Sequence, residues 1–251
     1  MHARISTYRR LATALVLAVI PLAAAPLPVL GPPAICHPID IGEARSLPWR
    51  GGHPFDGAPD YDVGRTVDDT LAILKESSDT LVHMETIRRA TIYLTGMEGE
   101  SEGRTPEWRQ EQINRLVSAL QTEARAIQAR AEQTAPDGLR LFDYGYLLAA
   151  VAQSGRVKQL ASDHASDQES ALSQAALLRP DDGAVHLGYA LATYGHGGGT
   201  PKCYAHLERA VALATDPDGL LRRNLVNTMG RFLGAESYDD LAAKVSARKR
   251  A

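Results

Sequence analysis

The chain is poor in several residue types, and each shortage excludes a class of protein. Its 251 residues include two cysteines, 6% aromatic residues and no excess of basic over acidic side chains, so the formal net charge is −3. Without a positive excess, general attraction to nucleic acid is excluded. Two cysteines exclude a disulfide-rich scaffold. The 44% hydrophobic and 23% charged residues are typical of a globular chain and exclude a disordered or multi-span membrane protein.

The sequence also lacks the short motifs of common cofactor sites, and we expect no cofactor. It contains no C-x-x-C-H haem motif, no phosphate-binding glycine loop and no H-E-x-x-H zinc motif. Gly99–Gly103 matches the G-x-S-x-G pattern of serine hydrolases, and His196–Gly199 matches their oxyanion loop. Such a serine follows a strand, and the two motifs stand here in the reverse of the usual order. We interpret both matches as coincidental.

The N-terminus has the pattern of a secretory signal. An apolar stretch, Leu11–Ile20, precedes the small residues Ala23–Ala25 and follows three arginines, Arg4, Arg9 and Arg10. The stretch is too short to span a bilayer comfortably. We expect residues 1–25 to be a cleaved signal peptide and the protein to be periplasmic or extracellular. The alternative is an uncleaved segment, which would be the protein's only contact with a membrane.

Residues 26–62 form a second region, rich in proline and glycine, with no sustained periodicity. Proline interrupts helices and favours an extended backbone. The region nevertheless carries apolar side chains that a disordered linker does not need: Ile39, Ile41, Leu47, Trp49 and Phe55. The sequence therefore predicts an extended arm that packs apolar side chains on the rest of the molecule.

Residues 63–251 show helical patterns throughout. The cluster Ser77-Ser78-Asp79 and Thr105 are predicted to cap helices, and Thr105 is followed by proline at the first helical position. Between residues 113 and 131, apolar residues recur every three or four positions, as on one face of a helix. Leu139–Gln153 is apolar on nearly all sides and is predicted to be the most buried helix. No segment alternates long enough to predict a strand, so the fold class is all-α.

Two segments 43 residues apart repeat one pattern, and this repeat resembles the tetratricopeptide family. Phe142–Ala149 corresponds to Val185–Ala192, and each is followed by a glycine-bearing loop, a second helix and a Pro-Asp exit. Leu187-Gly188, the small residues Ala205 and Ala212, and Pro217 are similar to the family's packing and stop positions. The spacing exceeds the usual ~34 residues. The resemblance implies a tetratricopeptide-like α-solenoid of stacked antiparallel helix pairs.

A second resemblance covers more of the chain. Cys36–Trp49, Met84–Ala90 and Phe142–Tyr146 are similar to segments of exported bacterial proteins of unknown function. This resemblance implies that arm and helices form one unit, and it implies no activity.

A charged cluster on an apolar helix is the candidate binding site. Glu85, Arg88 and Arg89 fall within ~100° of helical arc, and Glu85 is placed to pair with Arg89 four residues later. Asp143 is the expected partner of Arg88. Charges among apolar neighbours need partners or a polar groove. They form either a structural ion network or a groove for a peptide or carboxylate, lined also by Tyr146 and Tyr189.

Other chemistry is left as alternatives. In an oxidising compartment, Cys36 and Cys203 form a disulfide or remain two free thiols. His196, Cys203 and His206 are candidate metal ligands, although a structural zinc site needs a fourth. We therefore expect an exported, non-catalytic scaffold that binds a protein or peptide partner in the cell envelope. An envelope metal-dependent hydrolase and a membrane-tethered assembly factor are the alternatives.

Overall fold

The computed structural model describes residues 31–51, 53–97, 104–157, 163–195 and 198–248. Within these ranges the regular elements are helices, apart from two isolated bridges, Trp49–Gly57 and Gly195–Gly198. The prediction of an all-α fold is therefore confirmed for the described chain. The predicted signal peptide (1–25), the serine of the Gly99–Gly103 motif and the candidate ligand His196 lie outside the described residues.

Eleven α-helical segments are described in these ranges. In chain order they are α1 Pro33–Cys36, α2 Thr66–Glu76, α3 Thr80–Thr95, α4 Pro106–Gln128, α5 Ala135–Ser154, α6 Ala165–Leu178, α7 Gly183–Thr193, α8 Pro201–Leu213, α9 Leu220–Leu225, α10 Arg231–Leu233 and α11 Tyr238–Arg248. A short 3₁₀ turn, Val63–Arg65, precedes α2, and a π-helical turn, Val226–Gly230, joins α9 to α10.

Local sequence signals explain where these helices begin. The Asp79 carboxylate accepts a hydrogen bond from Leu81 N at 2.8 Å, and the Thr105 hydroxyl accepts one from Trp108 N at 3.2 Å. Both caps were predicted. Helix α5 begins earlier than the predicted Leu139, because Thr134 and Asp137 form a capping box and Asp137 lies inside the first turn.

Helix α5 lies at the centre of the helical body. It packs against α3, α4, α6 and α7, while α7 packs against α8 and α2 against α3. Neighbours in sequence are thus neighbours in space, an arrangement compatible with a helical repeat. The most buried helix, however, is α3, with all but one of its 16 residues buried, and not α5 as predicted. The arm causes this difference, because it covers the side of α3 that the other helices leave open.

The arm contacts the body over most of its described length. Ile35 and Leu47 have no exposed surface, and Ile39 is 3% exposed. Trp49 and Phe55 are partly buried against the same core. Burying an aliphatic side chain fully contributes roughly 1.5–3 kcal/mol. Each of the buried arm residues therefore helps to fix the arm to the helices.

Within the described ranges, no helix combines the length and the apolar character that crossing a bilayer requires.

Candidate functional site

The predicted groove lies on α3, and the arm fills it. Glu85 and Arg88 are 1% and 0% exposed, and only Arg89 retains some solvent contact. All three point towards the arm, whose backbone crosses α3 between residues 35 and 58. The site is therefore an interface within the molecule, between a charged helix face and an extended segment.

Arg88 pairs with Glu85, and the predicted pair with Asp143 was wrong. Its Nε donates to Glu85 Oε2 at 2.7 Å and its Nη2 to Oε1 at 2.8 Å. The remaining nitrogen, Nη1, donates to two arm carbonyls, Ile35 O at 3.2 Å and Pro54 O at 2.7 Å. A carboxylate one turn away on the same helix satisfies the guanidinium in a two-point contact. Asp143 is engaged elsewhere.

Glu85 holds both arginines and one peptide group of the arm. Arg89 Nε donates to Glu85 Oε1 at 2.7 Å, which confirms the predicted pair, and Ile39 N donates to Oε2 at 2.9 Å. Burial opposes the charge on this carboxylate, but Arg88 and Arg89 hold the pKa of Glu85 below its usual range. The trio thus carries one net positive charge, which faces the arm's carbonyl oxygens.

Two more α3 side chains bind the arm through its backbone. Arg89 Nη1 donates to Leu47 O at 2.6 Å. The Tyr93 hydroxyl donates to Pro48 O at 2.6 Å and accepts from Ala58 N at 2.8 Å. The ring of Trp49 lies 5.1 Å from the Arg88 guanidinium carbon, within the range of a cation–π contact. Along α3, the arm is therefore held mainly through peptide groups.

The start of the arm is held in the same way by residues that sequence reasoning missed. Asn224 of α9 accepts from Asp40 N at 2.7 Å and donates to Asp40 O at 2.8 Å. Gln153 of α5 accepts from Ala34 N at 2.8 Å. Asn224 is fully buried, but it directly follows Arg222 and Arg223 in the sequence, so no local pattern marked it as a buried residue.

A cleft adjoins the start of the arm. It has a volume of 510 Å³, and its walls include Pro32 and Pro33 of the arm, Gln153, and the aromatic rings of Tyr194 and Phe232. Because Gln153 also accepts the hydrogen bond from Ala34 N, the cleft borders the start of the arm.

Asp143 belongs to a separate buried pair with His83. Its Oδ1 lies 2.6 Å from His83 Nδ1, and His83 Nε2 lies 3.1 Å from Ser77 O. Burial disfavours a charged ring, but the Asp143 carboxylate and the Ser77 carbonyl outweigh it and raise the pKa of His83. A charged ring donates at both nitrogens. The residues Ser77, His83 and Asp143 do not form a catalytic triad, because His83 bonds to the serine's carbonyl rather than to its hydroxyl.

The two candidate tyrosines do not share one site. Tyr146 is fully buried, stacks on Phe142 at 5.3 Å, and its hydroxyl has no hydrogen-bond partner among the described residues. Tyr189 donates to Glu169 Oε1 at 2.7 Å and stacks on His206 at 3.7 Å between ring centroids. Tyr189 therefore lies on the α6–α8 side of the molecule, away from the Glu85 network.

The cysteines and the remaining metal candidates are also placed apart. Cys36 and Cys203 are both free thiols, and Cys203 Sγ donates to Ala190 O at 3.3 Å. His206 Nδ1 lies 2.8 Å from His186 Nδ1. Across the described ranges, no three His, Cys, Asp or Glu residues are grouped as a metal site requires.

Comparisons with known proteins identify no relative of this chain. No family model, no curated protein and no solved structure matches the chain.

Proposed function

We propose that this protein is an exported, non-catalytic scaffold that binds an extended protein segment along α3. In this proposal the body is a tetratricopeptide-like α-solenoid of antiparallel helix pairs, and the partner is a protein or peptide of the cell envelope. The segment that occupies the groove in the structure is the chain's own arm.

One observation carries the proposal: six side chains of the helical body make hydrogen bonds to the arm's peptide groups. They are Glu85, Arg88, Arg89, Tyr93, Gln153 and Asn224. Every protein segment offers the same N–H and C=O groups, so such contacts favour extended chains of many sequences. The buried side chains Ile35 and Leu47 supply the selective part of the contact.

The charges in the groove favour an occupied state. Without a segment across it, Arg88 loses the carbonyl partners that Ile35 and Pro54 supply. Its two bonds to Glu85 remain, and water takes the place of the two carbonyls. The groove therefore favours an extended backbone, which either the arm or an equivalent segment of a partner supplies.

The decisive experiment asks whether the arm is exchangeable. A protease site is inserted between Pro59 and Asp60, which are both exposed, and the full-length protein is cleaved after folding. A fluorescent peptide with the sequence of residues 31–58 is then added. We expect the cleaved arm to stay bound during gel filtration and to be replaced by the labelled peptide, as followed by fluorescence anisotropy.

A matched peptide provides the control. With Ile35→Asp and Leu47→Asp, the peptide keeps its backbone but loses the two buried side chains, and we expect no exchange. Unfolding of the protein on cleavage, or an arm that never exchanges with the wild-type peptide, would show a permanent structural element and contradict the proposal.

A further inference from the structure

The contact between α7 and α8 contains a pair of histidines that the proposed function does not use. His186 is 6% exposed, and its Nδ1 lies 2.8 Å from Nδ1 of the half-buried His206. Two neutral imidazoles make such a bond when one nitrogen carries a proton and the other does not.

The surroundings settle which ring donates. His186 Nε2 lies 3.1 Å from the carbonyl oxygen of Pro180, which only accepts, so the proton of neutral His186 is on Nε2. Its Nδ1 is then the acceptor, and His206 Nδ1 is the donor. His206 Nε2 carries the remaining lone pair and makes no hydrogen bond within the described part of the chain.

Charged groups on α6, on α8 and before α7 act on the pair. Arg209 of α8 and two acids before α7, Asp181 and Asp182, influence His186. Lys202 of α8 and Glu169 of α6 influence His206. The His206 ring also stacks on Tyr189 at 3.7 Å between centroids. The lysine and the buried ring face oppose a charge on His206, whereas Glu169 favours it.

We propose that the His186–His206 pair is an acid-sensitive contact, which joins α7 to α8 while both rings are neutral and separates as they take up protons. A first proton enters at His206 Nε2 and leaves the bond between the rings intact, but it charges a half-buried ring. A second proton has only His186 Nδ1 to enter. Two N–H groups then face each other at 2.8 Å, and the contact is lost.

The direction of the pH effect follows from the buried state of the rings. Burial, helped by His186 and Lys202, lowers the pKa of His206 to about 4, and burial also lowers the pKa of His186. Both shifts are downward from the ordinary histidine pKa of about 6.5. The stabilisation is therefore complete above pH ~6.5 and is lost as the pH falls towards 4.

Other titrating groups can be separated from this pair. The raised pKa of His83 gives that residue its full contribution below pH 6.5, so it causes no loss in acid. Burial lowers the pKa of His37 to about 4 as well, but His37 lies on the arm, against Phe232. A measurement that is local to α8 therefore distinguishes the pair from both.

The test is hydrogen exchange of the full-length protein between pH 7 and pH 5, followed by mass spectrometry and corrected for the intrinsic pH dependence. Helix α4 serves as the internal reference, because it contains no histidine. We expect the opening of α8 to increase relative to α4, by on the order of 20-fold from the titration of His206 alone and further from that of His186.

Two variants complete the test. His206→Asn places an amide donor near the position of Nδ1 but removes the titrating ring. We therefore expect the acid-induced opening of α8, relative to α4, to be smaller in this variant than in the wild-type protein by at least the contribution of His206. His37→Asn is the matched control and should leave α8 unchanged. The proposal is overturned if α8 opens no more than α4 in acid, or if His206→Asn opens as much as the wild-type protein.

Discussion

Helices α3 and α7 begin with the same local arrangement around a histidine, but the pKa values of the two histidines are shifted in opposite directions. Each has an aspartate cap followed by valine and histidine, in Asp79–His83 and in Asp182–His186. In both, histidine Nε2 bonds to a carbonyl six residues earlier, at 3.1 Å. The helix start therefore fixes the ring orientation and the proton on Nε2 in the same way twice.

The second ring nitrogen makes the difference. His83 Nδ1 faces the carboxylate of Asp143, whereas His186 Nδ1 faces another imidazole, that of His206. The pKa of the first histidine is raised and that of the second is lowered. One partner residue on a neighbouring helix thus decides whether the pKa of the histidine in the same local motif is raised or lowered.

The contrast continues along both helices. Counting from the histidine, Glu85 and Arg88 of α3 correspond to Gly188 and Leu191 of α7. Helix α3 packs against the polar backbone of the arm, while α7 at Gly188 packs so closely on Phe142 that an added Cβ would lie 2.4 Å from the ring. The helix that is crossed by an extended segment carries charged residues at these positions. The helix that packs against another helix carries small or apolar residues there.

The largest effect should come from making α3 resemble α7 at its buried arginine. Arg88→Leu introduces the residue that α7 has at Leu191, but it leaves Glu85 buried with a single arginine. Because breaking a buried ion pair from one side costs 3–5 kcal/mol, we expect a loss of about 4 kcal/mol of unfolding free energy, measured by urea denaturation.

The matched control is Leu191→Met on α7, which conserves volume and should cost less than about 1.5 kcal/mol. Equal losses of unfolding free energy for the two variants would show that the buried charge of α3 contributes no more than the apolar packing of α7.

A smaller effect is expected from removing the charged partner of His83. Asp143→Asn leaves the ring facing an amide, and we expect a loss of about 3 kcal/mol near pH 6. In the wild-type protein, the raised pKa of His83 contributes stability that is complete below pH ~6.5 and is lost as the pH rises through the raised value. In the variant this alkaline loss should vanish. Urea denaturation at pH 6 and pH 8.5 checks both, and an unchanged pH dependence would refute the assignment of charge to His83.

The smallest effect concerns the two aspartate caps. Asp79 accepts one backbone bond, from Leu81 N. Asp182 accepts from Ala184 N and Val185 N and also bonds to Arg179 and to Thr80 of α3. We expect Asp79→Ala to cost about 1 kcal/mol and Asp182→Ala about 2 kcal/mol, compared by thermal unfolding. The reverse order would show that the extra bonds of Asp182 contribute nothing.

The sequence predicted local features well and tertiary partners poorly. The caps at Asp79 and Thr105 and the pairing of Glu85 with Arg89 depend on residues within four positions, so spacing alone predicts them. Arg88 is an exception, because its partner Glu85 is only three residues away and the spacing was assigned to Arg89 alone. The arm carbonyls that Arg88 also binds could not be deduced, because they come from distant parts of the chain. The histidine pair was missed for the same reason, although the repeated Asp-x-x-Val-His segment was visible in the sequence.

The arm's attachment to α9 has a consequence for how the protein is made. Asp40 bonds to Asn224, a residue 184 positions later. A segment synthesised among the first must therefore wait until almost the whole polypeptide has emerged before it finds its final place. Contacts of such wide sequence separation form slowly, so Asp40 acquires its partner well after Ile35 and Leu47 have met α3, whose arginines lie 53 and 42 positions away.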